Sequence, residues 1–256
     1  MSARISADGQ AIPAIEPYVF SGAVRTYWAT LERQMKAQDG RGKSDTGTRT
    51  RVTGGQQMNG FSAILFESLV ALGTPATDVY VRGKRDLPGF FRPHKEWDIV
   101  VVSDKKLIAA IELKSQVGPS FGNNFNNRTE EALGSAADFW TAFRENTFGA
   151  SPQPWLGYLF LLEDCPETHK PVSVREPYFP VRPEFVGASY AKRYELFCRK
   201  LVLERHYSSA CMILSDASNA ERKENYSEPA KDLSAPQFLT QLLSHVHMGL
   251  QMKKGT

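Results

Sequence analysis

The chain has 256 residues, 41% hydrophobic and 23% charged, with a formal net charge of +3. These proportions exclude a mainly disordered or collagen-like polymer, and the length suits one sizeable core, since no shift in composition marks a linker. So small a net charge does not by itself point to nucleic acid, so its local distribution matters more.

The N-terminus "MSARISADGQAIPAIEP" lacks the apolar core of a signal peptide. Residues 16–38 read as a helix ended by Asp39 and Gly40, and a polar loop runs to about residue 60. Within it, residues 41–51 hold four basic groups against one Asp, a run able to follow a phosphate backbone or simply to be solvated. "TGGQQM" resembles part of an epitope tag, but inside the chain and running into a helix it reads as native. "FSAILFESLVAL" sets Phe61, Leu65, Ser68, Leu69 and Leu72 on one helical face, and "TDVYVRG" alternates as a strand. Residues 82–95 form a second basic loop, with five basic groups against one Asp.

Two apolar strands follow in "EWDIVVVSDKKLIAAIELKSQ", then an Asn-rich loop "VGPSFGNNFNNR" and a helix that starts at Thr129, where Glu130 and Glu131 suit the positive end of the dipole. After the apolar strand "WLGYLFLLED" come a Pro-rich irregular stretch near 166–183, a helix over about 187–207, the strand "CMILSD" and a closing helix "PQFLTQLLSHVH". The longest apolar run, 155–162, is too short to span a bilayer. Cys165, Cys198 and Cys211 are odd in number and outside any CxxC spacing, so buried thiols in a reduced, cytoplasmic protein are expected. The reading is one domain over 1–256, with a core over about 60–165, an N-terminal helix and basic loop at 14–59 and a helical part at 166–256.

The strand pair carries Asp98, Glu112 and Lys114 in apolar company. An acid, any residue, then Lys occurs three times, little above chance for this composition, but only Glu112-Leu113-Lys114 sits in an apolar strand. Alternation puts Glu112 and Lys114 on one face. If "SDKK" closes a hairpin with a three-residue loop, 104–106, then Asp98 pairs with Glu112. Two carboxylates in an apolar setting need a compensating cation, and a hard divalent ion such as Mg²⁺ would leave room for a phosphodiester in its shell. Lys114 would hold water and offset charge on the phosphate, so the constellation reads as phosphodiester hydrolysis. The competing reading is an Asp98–Lys114 ion pair with Glu112 capping a loop. Against it, neither strand has a solvated side, which implies helices on both faces of the sheet.

At these residues the chain resembles the PD-(D/E)xK nuclease superfamily, with "WD" where the pattern has Pro-Asp. "LPGFFRPHKEWDIVVV" and "IELKSQVGPSFGNNFNNRTEEALGSAADFW" further resemble the XhoI-type family of Type II restriction endonucleases, over roughly residues 50–165. The resemblance implies a restriction-endonuclease-like α/β core: a central mixed β-sheet with helices on both faces. It also implies a Mg²⁺-dependent homodimer that cuts both strands of CTCGAG in double-stranded DNA, leaving 5′-phosphates, opposite a cognate methyltransferase in a prokaryotic cytoplasm. The metal-binding acids fall on Asp98 and Glu112 and the catalytic lysine on Lys114. Glu67 is a possible accessory acid on the first core helix. Gln116, Ser120, Asn123, Asn124, Asn126, Asn127 and Arg128 become candidates for base or backbone contact, and Arg82, Lys84, Arg85 and Arg92 for phosphate clamps. His245 and His247, at i and i+2, make a poor metal pair and are expected on a helix surface. A repair or junction nuclease, an inert DNA-binding protein of the same fold, and an interaction protein with merely paired charges remain the alternatives.

Overall fold

The computed structural model describes residues 14–39 and 55–251, together with the backbone of the short strands β1 (Arg4–Ile5) and β2 (Ala11–Ile12). In chain order there follow α1 (Ser21–Asp39), α2 (Asn59–Ala71), β3 (Val79–Tyr80), β4 (Asp86–Pro88), β5 (His94–Glu96), β6 (Ile99–Ser103) and β7 (Lys106–Gln116). Then come α3 (Phe121–Arg144), β8 (Trp155–Glu163), α4 (Pro166–His169), α5 (Tyr190–Leu203), β9 (Ser209–Ser215) and α6 (Ala235–Gln251). The basic run 41–51 lies outside the described residues.

The five-stranded sheet has the order β3-β6-β7-β8-β9. β3, β6 and β7 pair antiparallel, while β7–β8 and β8–β9 pair parallel across the connections that carry α3 and α5. Parallel strands are covered on both faces, which is why β8 and β9 are buried almost throughout. On one face α1, α2 and α6 cover Ile99, Val101, Ile111, Leu159 and Ile213. On the other, α3 and α5 cover Val100, Ala110, Tyr158, Phe160 and Met212. Val24, Tyr27, Trp28 and Leu31, spaced three and four apart, make the stripe by which α1 docks. The central mixed sheet with helices on both faces is the expected fold class.

Several local expectations are corrected. The β6–β7 turn has two residues, not three: Ser103 pairs with Lys106, and Asp104 and Lys105 both adopt positive φ, the conformation of a tight twisted hairpin. That turn alone would set Asp98 opposite Ile111. A β-bulge between Val101 and Val102 adds Ile108 to β7 and restores the expected pairing of Ile99 with Ile111, but the ladder ends there: Asp98 lies outside β6 and its N–H donates to the Ile111 carbonyl, so the expected pairing of Asp98 with Glu112 does not form. Ile108 and Ala109 accordingly fall in the same apolar cluster although adjacent in sequence. The Asn-rich segment is not a loop, because α3 begins at Phe121 rather than at Thr129. Asn in a helix costs at most about 0.7 kcal/mol, whereas burying a Phe is worth roughly 1.5–3 kcal/mol. Phe121 stacks on Tyr190, and Phe125, one turn on, meets Tyr194 edge-on at 5.0 Å.

The basic segment 82–95 contains the β4–β5 hairpin, which a net positive charge had disguised. The strand expected over 77–83 is only Val79–Tyr80. The helix expected over 187–207 is Tyr190–Leu203, capped by Ser189, and the closing helix extends to Gln251. His247 is buried rather than on the helix surface, because it lies on the apolar stripe of α6 with Leu243 and Val246. Gln57 and Met58 of "TGGQQM" are packed into the fold, as a native segment requires. Cys198 and Cys211 are buried free thiols and Cys165 is half-buried. Among the described residues no helix is long and apolar enough to cross a membrane.

Candidate active site

β6 starts at Ile99, opposite Ile111, while β7 runs on to Gln116. Residues 112–116 therefore project beyond β6 and need acceptors that no strand supplies on that side. Asp98 supplies one: its Oδ2 accepts the Leu113 N–H at 2.7 Å. Among the described residues the Asp98 carboxylate forms no ion pair. Burial raises its pKa, with Glu112 adding to the rise and the Leu113 N–H, Lys114 and Lys95 opposing it. It borders a polar recess of about 300 Å³ with Asn59 and Ser62 of α2 and with Arg85.

Glu112 is 1% exposed. Its Oε1 accepts from Lys114 Nζ at 3.0 Å and from Lys95 Nζ at 3.2 Å, and its Oε2 from the Tyr207 hydroxyl at 2.9 Å. Burial alone would push its pKa up, but the two ammoniums and the phenol prevail and hold it below the usual carboxylate range. Tyr207, buried beside this anion, has its hydroxyl pKa pushed well up, first by burial and then by the Glu112 charge. Lys114 also lies 4.0 Å from Glu131, which Arg128 binds at 2.6 Å. Lys95, Glu112, Lys114 and Glu131 line a cleft of about 590 Å³ between the β4–β5 hairpin and α3, rimmed by Phe91, Arg92 and Arg128.

The structure thus brings Asp98, Glu112 and Lys114 to the same end of β6 and β7, within electrostatic reach of one another. Glu67 is exposed on α2, away from the first turn, whose Asn59 and Ser62 line the recess that Asp98 borders. Gln116 is 3% exposed and spends its amide on the Val117 carbonyl, an inward role. Ser120 precedes α3, and Asn123, Asn124, Asn126 and Asn127 ride its first turns, Asn123, Asn126 and Asn127 exposed. Arg92 reaches the cleft while paired to Asp138 at 2.7 Å. Arg85 instead turns inward, to Glu96 and to the Asp98 carbonyl at 3.3 Å. Arg82 and Lys84 are exposed on the approach to β4.

Sequence reasoning missed Lys95, Tyr207 and Asp138. Lys95 was counted only as one charge of a basic run, and nothing local marks Tyr207. Asp138 carried a usable signal, an acid on the apolar face of a helix between Ala136 and Phe139.

The donor set suits a hard divalent cation. Asp98 is a desolvated carboxylate lacking an ion-pair partner among the described residues, and one lone pair remains on Glu112 Oε2. Among the described residues no cluster of three or more metal-ligating side chains exists, so water and phosphate oxygens would have to complete the shell, as Mg²⁺ prefers.

A family model for "Restriction endonuclease XhoI" matches residues 37–228. Type II restriction enzyme BstVI of Geobacillus stearothermophilus is 56% identical over 207 residues, covering 79% of this chain and 92% of that protein. Type II restriction enzyme XhoI of Xanthomonas vasicola is 49% identical over 164 residues, 63% of this chain and 66% of that one. Type II restriction enzyme AbrI of Azospirillum brasilense is 46% identical over 158 residues, 61% and 71% of the respective chains. No solved structure matches the chain.

Proposed function

The chain belongs to the XhoI restriction endonuclease family and is a Type II site-specific deoxyribonuclease, and from that premise we propose that it hydrolyses both strands of duplex DNA at CTCGAG, with Mg²⁺ as cofactor. The observation that carries the chemistry is the Asp98 carboxylate seated on the N–H of Leu113, the residue between Glu112 and Lys114, where β6 and β7 part, with Lys114 3.0 Å from Glu112 Oε1. Asp98 and Glu112 would hold the ion, which when bound would polarise the phosphoryl oxygen and make hydroxide available near neutral pH.

Lys114 holds the attacking water on the cleft side of Glu112 and offsets charge growing on the phosphate. Lys95 and Tyr207 fix the Glu112 carboxylate by donating to both of its oxygens. Arg92 and Arg128, at the rim, meet the DNA backbone. The exposed amides Asn123, Asn126 and Asn127 face solvent for base contact. The specificity for CTCGAG rests on family likeness. A palindromic site suits a two-fold homodimer, each copy reading one half-site, and a methyltransferase of the same specificity would protect the host's own DNA.

The test is to incubate the purified protein and Mg²⁺ with a mapped plasmid and sequence the ends. Discrete fragments with 5′-phosphates at CTCGAG are expected, and a random smear would instead support a repair nuclease. Uncut plasmid that is nonetheless bound would support an inert DNA-binding protein.

A further inference from the structure

The two rings at the tip of the β4–β5 hairpin, in "GFFR" at residues 89–92, have no part in the chemistry above, yet the tip is built with unusual care. Phe90 and Phe91 are 51% and 73% exposed, ring against ring at 4.9 Å in an edge-on pair. Two neighbouring phenyl rings held in water mark a contact surface more often than a random surface residue does. The backbone beneath them is fixed. Asp138 of α3, itself 4% exposed, accepts the N–H of Phe90 and of Phe91 on one oxygen, each at 2.8 Å, and Arg92 Nε on the other at 2.7 Å. A Cβ at Gly89 would stand 2.4 Å from Asp138 Oδ2 and 2.8 Å from the Arg92 carbonyl, so only glycine lets the carboxylate seat. A hairpin built for stability alone would turn these rings inward.

Position and charge indicate the occupant. Phe91 and Arg92 border the same cleft as Glu112 and Lys114. The cleft lining itself balances cations with acids, but the hairpin segment is basic, five cations against one Asp over 82–95, with Arg92 next to the rings and Arg82 and Lys84 exposed in the bend before β4. Cations outside and a ring within match a duplex, whose phosphates lie outside and whose base faces lie within. A second copy of the chain would bring the same net-positive hairpin segment against this one, and like charges across an interface oppose it.

We infer that Phe91, backed by Phe90, is a wedge that enters a base step beside the scissile phosphate, unstacking it and kinking the duplex so that the phosphate drops into the cleft. The inference rests on the DNA-cleaving reading and adds a specificity-determining residue to it.

The experiment uses full-length Lys114→Ala, which keeps both carboxylates and is expected to cleave at least about a hundredfold more slowly, with emission read before cleavage, in Mg²⁺ with cognate duplexes carrying 2-aminopurine at successive positions. Emission is expected to rise at one step within the site on binding. Adding Phe91→Ala should abolish that rise and weaken cognate binding about tenfold, within the range for loss of one stacked base, with binding to unrelated duplex unchanged. The melting temperature should be unaltered, because the ring is exposed. Binding without any rise in emission, or a rise that survives Phe91→Ala, overturns the wedge while leaving the nuclease reading intact if the wild type still cleaves. Absence of binding to any duplex overturns both. Sedimentation of the same variants settles the competing occupant: a dimer that falls to monomer on Phe91→Ala, with base stacking undisturbed, overturns the wedge in favour of a contact between copies.

Discussion

Asp98, where β6 leaves β7, and Asp138, on the inner face of α3, are both aspartates withdrawn from water at the same end of the molecule, and their acidities move in opposite directions. Burial opposes ionisation of each. At Asp138 it is overcome by the Phe91 N–H, Arg92 and the Phe90 N–H, which together hold the carboxyl below its usual range. At Asp98 a single N–H, from Leu113, and the more distant charges of Lys114 and Lys95 leave burial the winner, and the pKa rises. A saturated carboxylate is a structural fastener, whereas an under-saturated one keeps lone pairs for a cation, the role proposed for Asp98. Burial alone does not separate the two, and the inventory of donors does.

Substituting each residue tests that contrast. Asp98→Asn is expected to lower cleavage by on the order of a thousandfold or more, the loss of several kcal/mol of metal-based charge stabilisation. Its thermal stability should not fall, since the native state already disfavours the charge that the substitution removes. The linkage agrees in sign: a carboxyl whose folded pKa is raised weakens the fold as pH climbs past its unfolded value, so Asn relieves that cost at pH 7. A melting-temperature drop of many degrees in Asp98→Asn would assign Asp98 to the fasteners.

Asp138→Ala should behave the opposite way, costing roughly 3 kcal/mol by urea denaturation at pH 7 because two N–H groups and a guanidinium lose their partner. The Asp138 carboxyl has a depressed folded pKa, so its stabilisation is present above its unfolded value and lost as pH falls through the lower, folded one. The variant should therefore lack that part of the wild type's acid destabilisation. Tyr207→Phe, which removes one charge-assisted hydrogen bond from Glu112, is expected to cost about 1.5–2 kcal/mol in the same denaturation experiment. The smallest effect is reserved for Lys95→Gln: about tenfold in cleavage rate, against a hundredfold or more for Lys114→Ala if Lys114 alone handles the water. Equal losses at the two lysines would mean that both ammoniums face the phosphate.

The sheet and its two covering layers were legible in the sequence, because runs such as "IVVV" and "WLGYLFLL" leave no polar side. Glu112 and Lys114 were legible for the same reason, as charges in a strand that otherwise excludes them, and Asp98 as the acid that immediately precedes β6. The Asn-rich start of α3 was not, because aromatic contacts made by Phe121 and Phe125 with a distant helix overrode local preference. Lys95 and Tyr207 were beyond reach because each meets Glu112 only through long-range topology, 17 and 95 residues away. The pairing of Ile99 with Ile111 was anticipated through a three-residue turn that does not exist, the bulge at Ile108 making up the missing residue, whereas the expected pairing of Asp98 with Glu112 fails because the ladder stops at Ile99.

That compensation has a consequence for how this hairpin tolerates change. The parity of the Ile99–Ile111 pairing depends on turn and bulge together, so, with the two-residue turn kept, an insertion after Asp104 that abolished the bulge would leave the pairing where it is, while one that kept it would swap inside for outside along the first half of β7. Length variation at the hairpin end is therefore absorbed within about five residues of the turn, and the carboxylates are insulated from it.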